Sequence, residues 1–182
     1  MNASFDPLRL VNTYGAFGVV EEERIELVVE SAINYEGPWK EYQFKVKPGD
    51  VYRKPRWISP YHYRLDWQMW IAGCSGGIDR SPWMYTFLYK LLERDPKVLE
   101  LIEHDPWSND QESEEKHAKE ENEQSENNVF PKYIRVEKYK YKFNKGNGNG
   151  QPYWERERIG KYFPLQGIAS MEALKDYLFK YF

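Results

Sequence analysis

Cys74-Ser75-Gly76-Gly77-Ile78-Asp79-Arg80-Ser81 is the run whose residue types and spacing come nearest to chemistry. It fits the C-x-x-G-x-x-R-S signature of the cysteine-dependent phosphatases. In those enzymes a thiolate attacks phosphorus while backbone N–H groups, an arginine and a helix N-terminus hold the phosphate oxygens. On that reading Cys74 is the nucleophile, Arg80 clamps the phosphate, Trp70-Ile71-Ala72 is the preceding strand and Ser81-Pro82 opens the following helix. Against it, Gly73 stands where such enzymes carry a histidine, Pro82 follows the serine, and no Trp-Pro-Asp acid loop lies upstream. Short motifs match falsely often. The expectation is a glycine-containing turn between two helices with an incidental cysteine.

Upstream, the stretch from Trp57 to Trp70 packs five aromatic rings, His62 and the charged pair Arg64 and Asp66 into one run. His62 and Asp66 are four apart, so in a helix they would neighbour each other as a base and its orienter. No nucleophile accompanies them, so the expected arrangement has Asp66 bound to Arg64 or nearby backbone and His62 packed among the rings. No metal site is expected, because His104 and His117 lie far off and a single cysteine rules out an internal disulfide. Arg135, Lys138, Lys140 and Lys142 interleave with Tyr139 and Tyr141 as a stacking platform for single strands or sugars would. A carbohydrate-binding module, which needs an exposed coplanar row of rings on the sheet, is a further alternative, although the ordinary expectation is a solvated strand face.

The elements that must position these residues change type along the chain. Val11 to Val20 reads as a glycine-broken strand. Ile25, Leu27 and Val29 alternate with Glu26 and Glu30, the period-2 pattern of a half-buried strand. Gly37-Pro38 turns the chain into a third strand, where Tyr42, Phe44 and Val46 alternate with charged residues up to Pro48-Gly49-Asp50. Helices are predicted from Arg64 to Ala72, closed by Gly73, with a buried strand at Trp67 to Ala72 as the alternative, from Ser81-Pro82 through Leu92, and from Asp95-Pro96 to Ile102, the serine and aspartate serving as N-caps. Residues 108–128 hold no apolar side chain but Ala118 and are expected to form a disordered acidic insert. Tyr133 to Phe143 resumes as a strand whose apolar parity shifts near Glu137-Lys138, which predicts a bulge there. A glycine-rich turn at 146–150 joins it to Tyr153–Ile159 as a hairpin, and Ser170 caps a last helix. The predicted fold is α+β: an antiparallel sheet or sandwich from an early meander plus a late hairpin, with an inserted helical segment and a C-terminal helix.

The 182 residues suit one domain. With 7 Trp and 15 Tyr the core is expected to be built from rings. The net charge of -3 argues against a bulk nucleic-acid or anionic-membrane binder. No apolar run approaches the roughly 20 residues needed to cross a bilayer, and the N-terminus lacks a charged-then-apolar leader, so a soluble piece is expected.

Several blocks together resemble a known family. Val11 to Gly18, Glu41 to Asp50, Ile58 to Trp70, Tyr139 to Phe143 and Arg158 to Pro164 are similar, in the same order, to the C-terminal domain of the lipase maturation factor family. The resemblance implies a multi-pass membrane protein of the endoplasmic reticulum that helps secreted dimeric lipases fold and assemble. This chain would be its lumenal, non-catalytic, client-binding part, excised from membrane segments it does not itself contain. It implies client lipases as partners, no cofactor and no nucleic acid. Animal members carry cysteines within the Phe44–Asp50 block and just before Ile58; here Val46 and Arg56 stand there, so a disulfide pinning the central loop is absent. The client surface expected from the aromatic stretches comprises Tyr14, Phe17, Trp57, Tyr61, His62, Tyr63, Arg64 and Asp66, since rigid aromatics supply contact area at low entropic cost.

Overall fold

A computed structural model describes residues 23–58, 62–108, 130–144, 150–167 and 169–181. The predicted strand at Val11–Val20, with Tyr14 and Phe17, lies outside them, as do Tyr61 and, apart from Ser108, the acidic insert.

Four antiparallel strands make one sheet of order β2-β1-β3-β4: β1 Arg24–Ala32, β2 Lys40–Glu41, β3 Tyr133–Phe143 and β4 Trp154–Phe163. Between β2 and β3 come α1 Arg64–Cys74, a 3-10 turn at Ile78–Arg80, α2 Trp83–Leu92 and the single-turn α3 Pro96–Leu99; α4 Met171–Tyr181 follows β4. The α+β architecture expected from the order of periodicities is therefore the one observed.

One face of the sheet carries Leu27 and Val29 of β1 opposite Lys138 and Val136 of β3, with Ile134 beyond. Met69 and Ala72 of α1, Met84, Leu88 and Leu91 of α2 and Leu174 of α4 share a single buried cluster with Leu27, Val29, Ile134 and Val136. Ser170 caps α4 as predicted, its Oγ accepting from the Ala173 N–H at 3.2 Å, and Tyr177 stacks on Tyr85 with centroids 4.0 Å apart.

The opposite face departs from expectation. Alternation predicted that Glu26 and Glu30 would meet water, but Glu26 is fully buried, and Glu30 and Glu137 beside it are buried too. Each has a cationic partner, without which burial would be prohibitive. Glu26 takes Arg24 Nε at 2.7 Å and Lys47 Nζ at 3.5 Å. Glu30 takes Arg135 Nε at 2.6 Å and Glu137 takes Arg158 Nη2 at 2.7 Å. At the far end of that face Tyr141, also buried, donates to the Gly49 carbonyl at 2.7 Å.

This second buried face also corrects the reading of β3. Its register with β1 runs unbroken from Arg24↔Tyr141 to Ala32↔Tyr133, so β3 itself holds no extra residue. The register shifts do fall beside Glu137 and Lys138, but they lie in β4. Val136↔Phe163 is followed by Glu137↔Lys161, and Lys138↔Gly160 by Tyr139↔Arg158, leaving Tyr162 and Ile159 as the added residues. The apolar parity changes because β3 buries one face near its start and the other near its end.

Two further corrections concern ends. Only Lys40–Glu41 pair as β2; beyond them the Tyr42 N–H reaches the Val29 carbonyl and Gln43 leaves the sheet to bridge His104. Ser81 does not cap α2, whose N-cap is Pro82 with no side-chain cap bond, whereas Asp95 caps α3 as predicted by accepting from the Lys97 N–H at 2.9 Å.

Candidate functional site

Asp66 falls in the first turn of α1, where the exposed N–H groups of the helix favour a carboxylate. It is 3% exposed. Its Oδ1 accepts from the Val46 N–H at 2.7 Å and the Lys47 N–H at 2.8 Å, so the helix start is stapled to the segment leaving β2. Asp66 thus binds backbone, one of the two arrangements its sequence context suggested, and Arg64 beside it is exposed.

The carbonyls of that same segment are held from the other side. Arg53 donates to the Phe44 carbonyl at 2.5 Å and the Lys47 carbonyl at 2.8 Å, and Arg56 donates to the Lys45 carbonyl at 3.3 Å and to Glu103 Oε1 at 2.6 Å. Where the resemblance implies a disulfide in animal proteins, guanidinium bonds to the carbonyls of Phe44, Lys45 and Lys47 tether the loop here. The loop presents Trp57, which is 89% exposed.

Two grooves flank Tyr63, itself 48% exposed. The inner one, of about 290 Å³, runs between Val46-Lys47 and the rings of His62, Tyr63, Trp67 and Trp70, with Asp66 on its wall. His62 lies 5.4 Å from Trp67 and Trp67 lies 5.2 Å from Trp70, centroid to centroid, so the imidazole packs among rings as expected. Lys47 is buried on this wall, and burial draws its ammonium below the usual lysine pKa, opposed by Glu26 and Asp66. The outer groove, of about 530 Å³, is lined by Lys45, Tyr63, Arg64, Leu65, Trp83 and Leu101. Lys45, Trp83 and Leu101 were not singled out from the sequence. They come from three separate stretches, the segment after β2, the start of α2 and the turn after α3, and no local pattern joins them.

Of the expected surface, Trp57, His62, Tyr63 and Arg64 are exposed, His62 and Tyr63 lining the inner groove and Tyr63 and Arg64 the outer one, while Asp66 is buried on the inner groove's wall.

The other candidates are placed differently. Cys74 is the exposed last residue of α1, so Trp70–Ala72 is helix, as the periodicity predicted, and not the strand the phosphatase reading needs. A helix C-terminus presents carbonyls and disfavours a thiolate, the reverse of a phosphate cradle. Arg80 ends the 3-10 turn, exposed. The basic residues of β3 split between faces: Arg135, Tyr139 and Tyr141 lie on one, Lys138, Lys140 and Lys142 on the other, and Arg135 is occupied by Glu30 and by the Trp39 ring at 4.2 Å. Neighbouring rings are steeply inclined, 82° for Phe143 on Trp154 and 50° for Trp67 on Trp70, unlike the coplanar row that would bind a sugar chain. Among the described residues no three His, Cys, Asp or Glu side chains gather as metal ligands, and no helix is long and apolar enough to cross a membrane.

A family model described as the lipase maturation factor C-terminal domain matches residues 10–164. The chain is 40% identical to lipase maturation factor 1 of Mus musculus, covering 97% of this chain and 28% of that protein. It is 37% identical to lipase maturation factor 1 of Homo sapiens, over 97% of this chain and 29% of that protein. Lipase maturation factor 2 of Xenopus laevis is 34% identical over 94% of this chain and 24% of its own length. The chain thus spans between 24% and 29% of the length of these relatives. No solved structure matches it.

Proposed function

The chain belongs to the lipase maturation factor family, and on that premise we propose that it is a non-catalytic maturation domain that holds secreted lipases while they fold and assemble. In this reading residues 1–182 act as one domain in the lumen of the endoplasmic reticulum, joined to the membrane through segments of the longer protein. Client lipases are its partners.

The observation that carries the proposal is the exposed aromatic surface at the start of α1. His62 and Tyr63 before α1 and Trp57 in the preceding loop are exposed, and Asp66, Arg53 and Arg56 hold the flanking backbone, so large rings are offered to a partner at small entropic cost. Tyr14, Phe17 and Tyr61 are assigned to the same surface on the strength of the sequence alone, with Arg64 as its cation and Asp66 as its anchor.

The test is capture of a secreted dimeric lipase during refolding by the immobilised chain, compared with its Trp57→Ala/Tyr63→Ala variant. The chain is expected to retain folding lipase and raise the yield of active dimer, and the variant to lose about tenfold in capture with an unchanged melting curve. Equal capture by chain and variant would remove this surface from the proposal. No capture by either would remove the maturation role.

A further inference from the structure

Between Lys45 and Arg64 the chain carries Lys45, Lys47, Arg53, Lys54, Arg56 and Arg64 against Asp50 alone, although the whole chain is net acidic. Half of this charge is engaged within the fold. Lys47 is buried against Glu26, Arg53 is spent on two carbonyls, and Arg56 pairs with Glu103. Lys45, Lys54 and Arg64 are not, for among the described residues none of them meets a carboxylate within ion-pair distance, and of the three Lys45 and Arg64 line the outer groove. The Lys45 ammonium lies over the Tyr63 ring, 5.6 Å from its centroid, and acts on Glu103 from beyond ion-pair distance.

These two cations flank the outer groove, whose floor is apolar: Leu65, Trp83 and Leu101, the last 47% exposed. Exposed leucine and tyrosine beside unpaired cations ask for a partner with the opposite layout, a large apolar side chain between carboxylates. We propose that this groove binds an extended polypeptide segment of a client in which one or two large apolar residues are flanked by Asp or Glu. The inference deepens the maturation reading and rests on it, naming the chemistry of the client segment. Burial of the apolar side chain supplies the affinity. The carboxylates contacting Lys45 and Arg64 supply orientation, rate and salt dependence.

The shape favours a chain segment over a bilayer, because a flat surface cannot enter a concavity. The two cations at this groove are too few for a nucleic-acid backbone, whose binding grows with each phosphate neutralised.

The experiment titrates the chain with the blocked hexapeptide Glu-Asp-Leu-Phe-Glu-Asp, read by tryptophan fluorescence, at about 50 mM and about 300 mM salt. Two control peptides carry amides for the carboxylates or Ser-Gly for Leu-Phe. Saturable binding is expected, weakened about tenfold by the amide peptide and by high salt and lost with Ser-Gly. A Lys45→Glu/Arg64→Glu variant should lose the acidic peptide and gain a peptide with Lys in place of its acids, which shows that the groove is still folded. Equal affinity for acidic and amide peptides, or an unchanged variant, overturns the proposal. So does preferential binding to vesicles containing phosphatidylserine, or a dimer of this chain that the charge swap dissociates. Lipase capture by the same variant separates the two claims. Capture that survives the swap overturns the groove assignment alone, whereas peptide binding by a chain that captures no lipase overturns the maturation role alone.

Discussion

Asp66 shows at the scale of one residue how spacing and function part company. Its distance from His62 suits a base and its orienter, yet its carboxylate turns inward to two backbone N–H groups, 19 and 20 residues earlier in the chain. Asp66→Ala is expected to cost roughly 2–5 kcal/mol, because buried donors lose a charged acceptor, and the loss would be measured by urea denaturation. Asp66→Asn should recover part of it, since the amide oxygen can still accept both bonds. Its place in the first turn of a helix was legible from the aromatic run and the period change. Its partners were not, because nothing local marks Val46 and Lys47 as the groups it meets. The same holds for Arg56, whose role in tethering the loop shows only through the carbonyl of Lys45 and the carboxylate of Glu103.

At the scale of elements, β1 was legible as a strand but not as one buried on both sides. Period-2 alternation tells which side chains share a face and leaves open what covers that face. Glu26 and Lys47 are the test. Glu26→Leu alone should destabilise by roughly 3–5 kcal/mol, because it strands a buried ammonium, while Glu26→Leu/Lys47→Met should recover most of that loss. A thermodynamic cycle over the four proteins measures the difference, and a double variant no better than the single would remove the pair from the account. In α1, Gly73 was expected to close the helix, yet it lies within the helix, buried where α1 packs on β1. A Cβ there would stand 3.5 Å from the Ile25 carbonyl oxygen and 3.6 Å from Leu27 Cγ, which is ordinary contact. Gly73→Ala should therefore stabilise the protein by up to about 1 kcal/mol, seen as a rise in melting temperature.

Across the whole molecule, the core is mainly aliphatic and not built from rings as expected, only six of the twenty described residues in its buried cluster being aromatic, yet its buried tyrosines make stability sensitive to alkali. Burial pushes the hydroxyls of Tyr42 and Tyr141 up to about 12, from an ordinary value of 10.0. A raised folded-state pKa adds stability that is complete below pH 10 and is lost as pH rises towards 12, worth roughly 2–3 kcal/mol for each tyrosine. Denaturation midpoints should fall across that window, and less steeply in Tyr42→Phe. Absorbance at high pH should show both phenols ionising with unfolding and not before it. The sequence by itself determined the element types, their order and the α+β class, because periodicity, caps and turn residues act within a few positions. It also carried the family resemblance in long collinear blocks. Tertiary structure alone decided which face of each strand is covered, where β4 bulges, and that Lys45, Tyr63, Arg64, Trp83 and Leu101 line one groove. Those outcomes depend on contacts between residues tens of positions apart, and the free energy of such a contact is written in neither partner's local sequence.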